Sequence, residues 1–251
     1  NQDASDFTSS TLDDTGTSTS DTNLTSSNAG YIRSNLIAQG EITSTSGNVV
    51  IVAGNNLNNI GSNITSAGST LLEATDGDVN ITTAQLRDRT YSEGGRKKHR
   101  WTSISDKTTN LESEISSGGD LYVTSGGNDV NITGSDLTAT NNIELVAAED
   151  VNISAAQDTT YRFFSSSKKG FTSQSSSSSV SGSTTNILSE LTAGDDLNIT
   201  SNASDINLIG AKLTAENATL SAAKELNIDA VQDTSYSQSS HSRSNGISSI
   251  A

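Results

Sequence analysis

Apolar residues along this chain come mostly as pairs two positions apart, aliphatic and often β-branched, with Ser, Thr, Asn, Asp and Gly filling the gaps. In the middle of the chain the pairs are Leu121/Val123, Val130/Ile132, Ile143/Leu145 and Val151/Ile153, with Leu137 alone among them, so a new start comes at positions 121, 130, 137, 143 and 151. The following segment repeats the rhythm with Leu197/Ile199, Ile206/Leu208, Leu213, Leu220 and Leu226/Ile228; the preceding one does so with Val49/Ile51, Leu57, Ile64, Leu72 and Val79/Ile81. Alternation over three or four residues puts both members of a pair on one strand face, so each pair predicts a short half-buried strand, with Gly, Asn and Asp at the corners. Three such strands and their turns take about 20 to 24 residues, one rung of a β-solenoid. The expected fold is all-β, a right-handed parallel β-helix, with longer irregular or extended strands where the rhythm stops.

A longer period overlies this one. Val79-Asn80-Ile81-Thr82 leads into Ala84-Gln85, Val151-Asn152-Ile153-Ser154 into Ala156-Gln157-Asp158, and Leu226-Asn227-Ile228-Asp229 into Val231-Gln232-Asp233, so the box recurs from positions 79, 151 and 226. The boxes continue to Tyr161 and Tyr236, and the first reads as reaching Arg89-Thr90-Tyr91 after a two-residue insertion. Gln2-Asp3-Ala4-Ser5 resembles the tail of a further copy. The chain therefore divides into one continuous array over 1–251, a piece of a longer filament, with a partial unit 1–46 and units 47–118, 119–193 and 194–251.

A single rung cannot stand alone. It buries about six aliphatics at ~1.5–3 kcal/mol each, whereas ordering about 22 backbones costs ~1–2 kcal/mol apiece. Stacking supplies the missing ladders and a shared interior. The absence of proline agrees with an interior of fully paired strands. At ~4.8 Å per rung the whole chain would make a rod of about 50 Å.

Three tracts lack the apolar rhythm: 83–113, 155–189 and 230–251. They hold 11 of the 14 basic residues and only six acids, a net +5, so the remainder of a chain with net charge −15 carries −20. Seven of the ten aromatics lie there too, and Phe7 takes the equivalent place near the start. Basic residues beside aromatics are chemistry for an anionic surface, a glycan or another protein. Candidate contact residues are Arg96, Lys97, Lys98, Arg100, Trp101, Phe163, Phe164, Lys168, Lys169 and Phe171. The competing expectation is that each tract runs along the solenoid as longer or looser strands, its aromatics covering the solenoid's side and its charges keeping it soluble. The serine run Ser173 to Ser183 points to mobility there.

Composition narrows the chemistry further. Without cysteine there are no disulfides or thiolate metal sites, and the acidic balance opposes nucleic-acid binding. No apolar run is long enough for a membrane-spanning helix, and Asn1-Gln2-Asp3 does not open a signal peptide. Acid pairs such as Asp76/Asp78, Glu149/Asp150 and Asp195/Asp196 could suggest sugar cleavage. Each pair, however, immediately precedes an apolar strand at a recurring position, where carboxylates make turns. His99 and His241 lack an adjacent nucleophile and acid. Gly126-Gly127-Asn128-Asp129 approaches a calcium-solenoid motif only once and lacks its third glycine. Asn-x-Ser/Thr at Asn80, Asn131 and Asn152 is repeat grammar, each Asn pointing outward between two inward aliphatics. The expectation is a non-enzyme with no cofactor, no metal and no small-molecule substrate.

The string Gly119-Asp120-Leu121 through Gly134-Ser135-Asp136-Leu137-Thr138-Ala139 to Glu149-Asp150-Val151-Asn152-Ile153-Ser154-Ala155-Ala156-Gln157 resembles the haemagglutinin repeats of filamentous haemagglutinin and of contact-dependent growth inhibition exoproteins. The similarity runs over nearly the whole chain, including the tract Ser165-Ser166-Ser167-Lys168-Lys169-Gly170, and is nearest to the second repeat class of those exoproteins. The resemblance implies a secreted or cell-surface Gram-negative exoprotein, exported by two-partner secretion through an outer-membrane transporter partner. It further implies a role in engaging a target cell's outer membrane while a C-terminal toxin is delivered; the adhesin stalk or pure spacer of a filamentous haemagglutinin is the alternative. Absence of cysteine suits passage through an oxidising periplasm.

Overall fold

The polar corners and aliphatic pairs fold as the alternation dictates, into strands of four to six residues wound as a right-handed parallel β-helix. The structure is a computed structural model that describes residues 17–24, 30–37 and 39–245, with side chains over 39–245. Gln2-Asp3-Ala4-Ser5, Phe7 and the last six residues of the third tract lie outside the described residues.

An antiparallel pair, Thr17–Leu24 (β1) and Gly30–Ile37 (β2), precedes six coils of three strands each. The first coil is Glu41–Ser44 (β3), Val49–Ala53 (β4) and Leu57–Ile60 (β5); the second is Asn63–Ser66 (β6), Thr70–Ala74 (β7) and Val79–Thr82 (β8). Here the chain leaves the solenoid as a long hairpin, Ala84–Arg96 (β9) and His99–Leu111 (β10). It returns for a third coil, Glu114–Ser117 (β11), Leu121–Ser125 (β12) and Val130–Thr133 (β13), and a fourth, Asp136–Ala139 (β14), Ile143–Ala147 (β15) and Val151–Ser154 (β16). A second hairpin follows, Ala156–Lys169 (β17) and Ser173–Ile187 (β18). The fifth coil is Ser189–Ala193 (β19), Asp196–Ser201 (β20) and Ile206–Ile209 (β21), the sixth Ala211–Thr214 (β22), Asn217–Ala222 (β23) and Leu226–Asp229 (β24), and Thr234–Asn245 (β25) leaves again.

Corresponding strands stack into three six-stranded parallel sheets. Where one coil follows another directly, paired residues are 22 (Leu121 to Ile143), 21 (Val130 to Val151) or 20 (Ile206 to Leu226) positions apart, within the expected rung length. Where a hairpin intervenes the separation grows to 51 (Val79 to Val130) or 55 (Val151 to Ile206). The excursions shorten the rod, because the tract residues do not wind: the six coils of the described residues, at about 4.8 Å each, reach about 29 Å, against 50 Å for a chain wound throughout.

The paired aliphatics become columns through the interior. Ile81, Ile132 and Ile153 stack in register with Leu208, and Leu72, Val123 and Leu145 with Ile199. Nearly all are buried completely, so each contributes ~1.5–3 kcal/mol. One corner decides where hairpins can leave. Between the third and first sheets the plain coils turn at Gly61, Gly134 and Gly210, all with positive φ. At Gly134 a Cβ would come within 2.5 Å of the Ala156 Cβ, the residue that opens the next hairpin. Glycine turns and hairpin exits thus alternate at a single corner, each packed on the other.

The hairpins pair with one another, not along the coils, in the order β1-β2-β9-β10-β17-β18-β25. This seven-stranded antiparallel sheet stands off the solenoid as a single-layered wing, and nearly every residue of β9, β10, β17, β18 and β25 is at least partly exposed. Three expectations change. The aromatics do not cover the solenoid's side; they lie on the wing. Ser173 to Ser183 is not a mobile segment but a strand paired on both edges, with β17 and β25. And the first box has no insertion: Arg89, not Tyr91, shares a cross-strand row with Tyr161 and Tyr236, through Asp106 and Gly182.

Candidate functional site

At the base of the wing, polar residues of the boxes bind successive hairpins to one another. The Asp158 carboxylate accepts from the Asn110 backbone N–H at 2.7 Å and from its Nδ2 at 3.0 Å, tying the end of β10 to the start of β17. Asp233 does the same for Asn186, at 2.8 and 2.9 Å, tying β18 to β25. The aspartate of the box's Gln-Asp dipeptide is thus a clasp between successive hairpins. Farther out, Arg87 forms a two-point ion pair with Asp106, which holds that carboxyl below its usual range and braces β9 on β10.

Cross-strand partners share a face, so the strand register sorts the wing's side chains. One face carries at its tip the row Arg96, His99, Lys168, Ser175 and Arg243; behind it lies Gly94, Trp101, Ser166, Ser177 and His241, then Ser92, Ser103, Phe164, Ser179 and Ser239. The other face carries Arg100, Ser167 and Ser176 near the tip, then Thr102, Ser165, Ser178 and Ser240, then an apolar row of Tyr91, Ile104, Phe163 and Val180. Shallow hollows of about 320 Å³ open near the tip on both faces, one lined by Arg100, Thr102, Ser165 and Ser178, the other by Lys168, Ser175, His241 and Arg243.

The candidate residues gather in part. Arg96, Lys97 and Lys98 form the first hairpin's end and Lys168, Lys169 and Phe171 the second's, and the two ends touch, with the Lys169 N–H donating to the Lys98 carbonyl at 2.7 Å. Phe171 is fully exposed in the turn. Arg100 and Trp101 start β10 on opposite faces. Phe164 shares Trp101's face, whereas Phe163 lies well down the opposite face in the half-buried apolar row and takes no part in the basic tip. His99, His241 and Arg243, not among the candidates, stand beside them. Arg243 was findable: Arg96, Lys168 and Arg243 each occupy the same place relative to the boxes that begin at Val79, Val151 and Leu226. Among the described residues none of the seven tip cations (these three with Lys97, Lys98, Arg100 and Lys169) forms an ion pair, and Glu93, the one carboxylate nearby, accepts the Tyr91 hydroxyl at 2.7 Å.

The solenoid's own polar residues are committed to stacking. Asn80, Asn131, Asn152, Asn207 and Asn227 each donate from Nδ2 to the Oδ1 of the asparagine one coil earlier, at 2.9–3.0 Å, starting from Asn58. Asp78, Asp129, Asp150 and Asp205 form a second column, each accepting the backbone N–H of the next coil's corner. The N–H of Asp205, helped by the Ser204 side chain, holds the Asp150 carboxyl below its usual range. At the preceding corner Asp196 accepts from Asn217 Nδ2 at 2.9 Å. One carboxylate of each acid pair, Asp78, Asp150 and Asp196, is thus a corner acceptor, as its position before each strand suggests.

A family description, the hemagglutinin repeat, matches residues 93–173 and again 170–251. No curated protein and no solved structure matches the chain. The first match begins inside β9 and ends at the first residue of β18, and the second runs from the turn before β18 to residue 251, so each takes in two coils and their flanking hairpin strands. With 159 of 251 residues covered (93 to 251), the chain belongs to the hemagglutinin-repeat family, as a filamentous-haemagglutinin-like β-helical module of the secreted or surface-exposed kind found in Gram-negative bacteria, a family typically structural or adhesive.

Proposed function

We propose that this chain is a non-catalytic filament module that holds basic hairpin tips against a target surface, acting in the manner of the repeat region of contact-dependent growth inhibition exoproteins that engages the target cell's outer membrane during toxin delivery. The observation that carries this reading is the segregation of charge in space. Seven cations, Arg96, Lys97, Lys98, Arg100, Lys168, Lys169 and Arg243, crowd the outer end of a thin wing while the rod behind it is strongly acidic. A rod of that charge is repelled by an anionic surface, and the wing places its cations farthest from the rod's field. Export through an outer-membrane transporter partner precedes folding, since the stacked coils cannot thread a pore.

The test replaces Arg96, Lys97, Lys98, Arg100 and Trp101 together. Adhesion or delivery should fall while β-sheet circular dichroism stays intact. Unchanged adhesion and delivery would favour the spacer reading, for which the uniformity of the coils is the supporting observation.

A further inference from the structure

We propose that the row Arg96, His99, Lys168, Ser175 and Arg243 is a strip for lipid phosphate groups, with one cation from each successive hairpin. This rests on the surface-contact reading above and names its ligand chemistry. Arg96, Lys168 and Arg243 lie on β9, β17 and β25, the three outgoing hairpin strands, at repeat-equivalent positions and in one unbroken cross-strand row. With strands ~4.8 Å apart, successive cations stand about 10 Å apart along a line parallel to the filament. The intervening strands place an imidazole, His99, and a hydroxyl, Ser175, in the gaps, so donors recur at every strand.

Three features select a phosphorylated membrane surface. Within the hairpin strands β9, β10, β17, β18 and β25 the strip's face has no carboxylate except Asp88 and Asp158, both at the base of the wing, so nothing on it neutralises the row. Guanidinium forks and a hydroxyl suit phosphate oxygens, which accept two-point hydrogen bonds. And the ring of Phe171 is fully exposed in the turn that follows Lys168 and Lys169, where an aromatic can enter the apolar boundary below a layer of headgroups. A soluble polyanion would use the cations and leave Phe171 without a partner. Because each hairpin contributes one cation, binding strength is set by the number of repeats brought to the surface.

The experiment sediments the intact protein with vesicles of phosphatidylcholine alone, of phosphatidylcholine with phosphatidic acid, and of phosphatidylcholine with sulfatide at matched surface charge. The expected result is binding to the phosphatidic acid vesicles in preference to both others. Each of Arg96→Gln, Lys168→Gln and Arg243→Gln should weaken it about fivefold and the triple variant about a hundredfold. Lys107→Gln, an exposed wing cation opposite Asp88 well below the tip, and inorganic polyphosphate as a soluble competitor are the controls. Equal binding to sulfatide vesicles, an undiminished triple variant, an equal loss in Lys107→Gln, or complete displacement by polyphosphate at equivalent phosphate would overturn the proposal. Cell adhesion separates the two readings: a triple variant that adheres normally, while the Arg96–Trp101 replacement does not, removes the phosphate strip and leaves surface contact standing.

Discussion

Asn152 shows how a single residue serves the stack. Its Nδ2 donates to Asn131 and its Oδ1 accepts from Asn207, while the neighbouring Val151 and Ile153 are wholly buried. At ~0.5–1.5 kcal/mol for each hydrogen bond, Asn152→Ala should cost about 1–3 kcal/mol in chemical denaturation, and Ile153→Ala, which opens a cavity, about 2–5 kcal/mol. Gly134→Ala forces a side chain into the left-handed region and onto Ala156, so it should destabilise by at least ~1–2 kcal/mol, whereas Gly54→Ala, where a Cβ meets nothing, stays near neutral. Charged residues divide by pH. Asp150 has its folded pKa depressed by the Asp205 N–H, so its stabilisation is present above the ordinary carboxylate value and is lost as pH falls through the folded value. Asp136 is pushed up, first by burial and then by the Glu190 and Glu114 carboxylates of its outward row; its charge opposes folding at neutral pH, and that opposition ends as pH falls through its raised value. Urea denaturation in pH steps should therefore show Asp136→Asn blunting the gain on mild acidification, and Asp150→Ala weakening the protein at neutral pH but converging on wild type below the ordinary carboxylate range. Asn152's outward aim was legible from its place between two inward aliphatics. Its bonding to Asn131 in the coil before and to Asn207 beyond the second hairpin was not, because that depends on the stacking register.

Hairpins are the elements on which register is least secure, since strands with two polar faces have little burial to penalise a slip. The clasp at the base supplies what burial does not. Asp158→Ala should leave the coils intact but loosen the second hairpin from the first, read as faster amide exchange along β10 and β17 relative to the coil strands, with a local cost of about 1–3 kcal/mol. The same physics explains why the tracts misled at the level of sequence. Ser173 to Ser183 has no apolar alternation and looks like a flexible linker, yet its backbone groups are paired on one side by β17 of its own hairpin and on the other by β25 of the following repeat. Its order comes from those neighbours.

At the scale of the whole molecule, an acidic rod of about 29 Å carries a wing whose cations collect at the far edge. The repeat of two coils and one hairpin makes the assembly additive. Deleting residues 118–193 should leave a foldable protein in which Leu197 takes the place of Leu121 above Thr70, with a lower denaturation midpoint, since fewer coil interfaces remain. A chain that unfolds without any such drop would contradict nearest-neighbour stacking. The alternation of Val151 with Ile153 and its counterparts by itself determined the strands, the inward columns, the rung length and the outward asparagines, because a period of two is a local property of the backbone. The exit of every second coil at the glycine corner, the pairing of hairpins from successive repeats and the meeting of Arg96, Lys168 and Arg243 on one face were decided only by the tertiary structure. Those contacts form between repeats, and the energy that orders them does not exist until neighbouring coils have stacked.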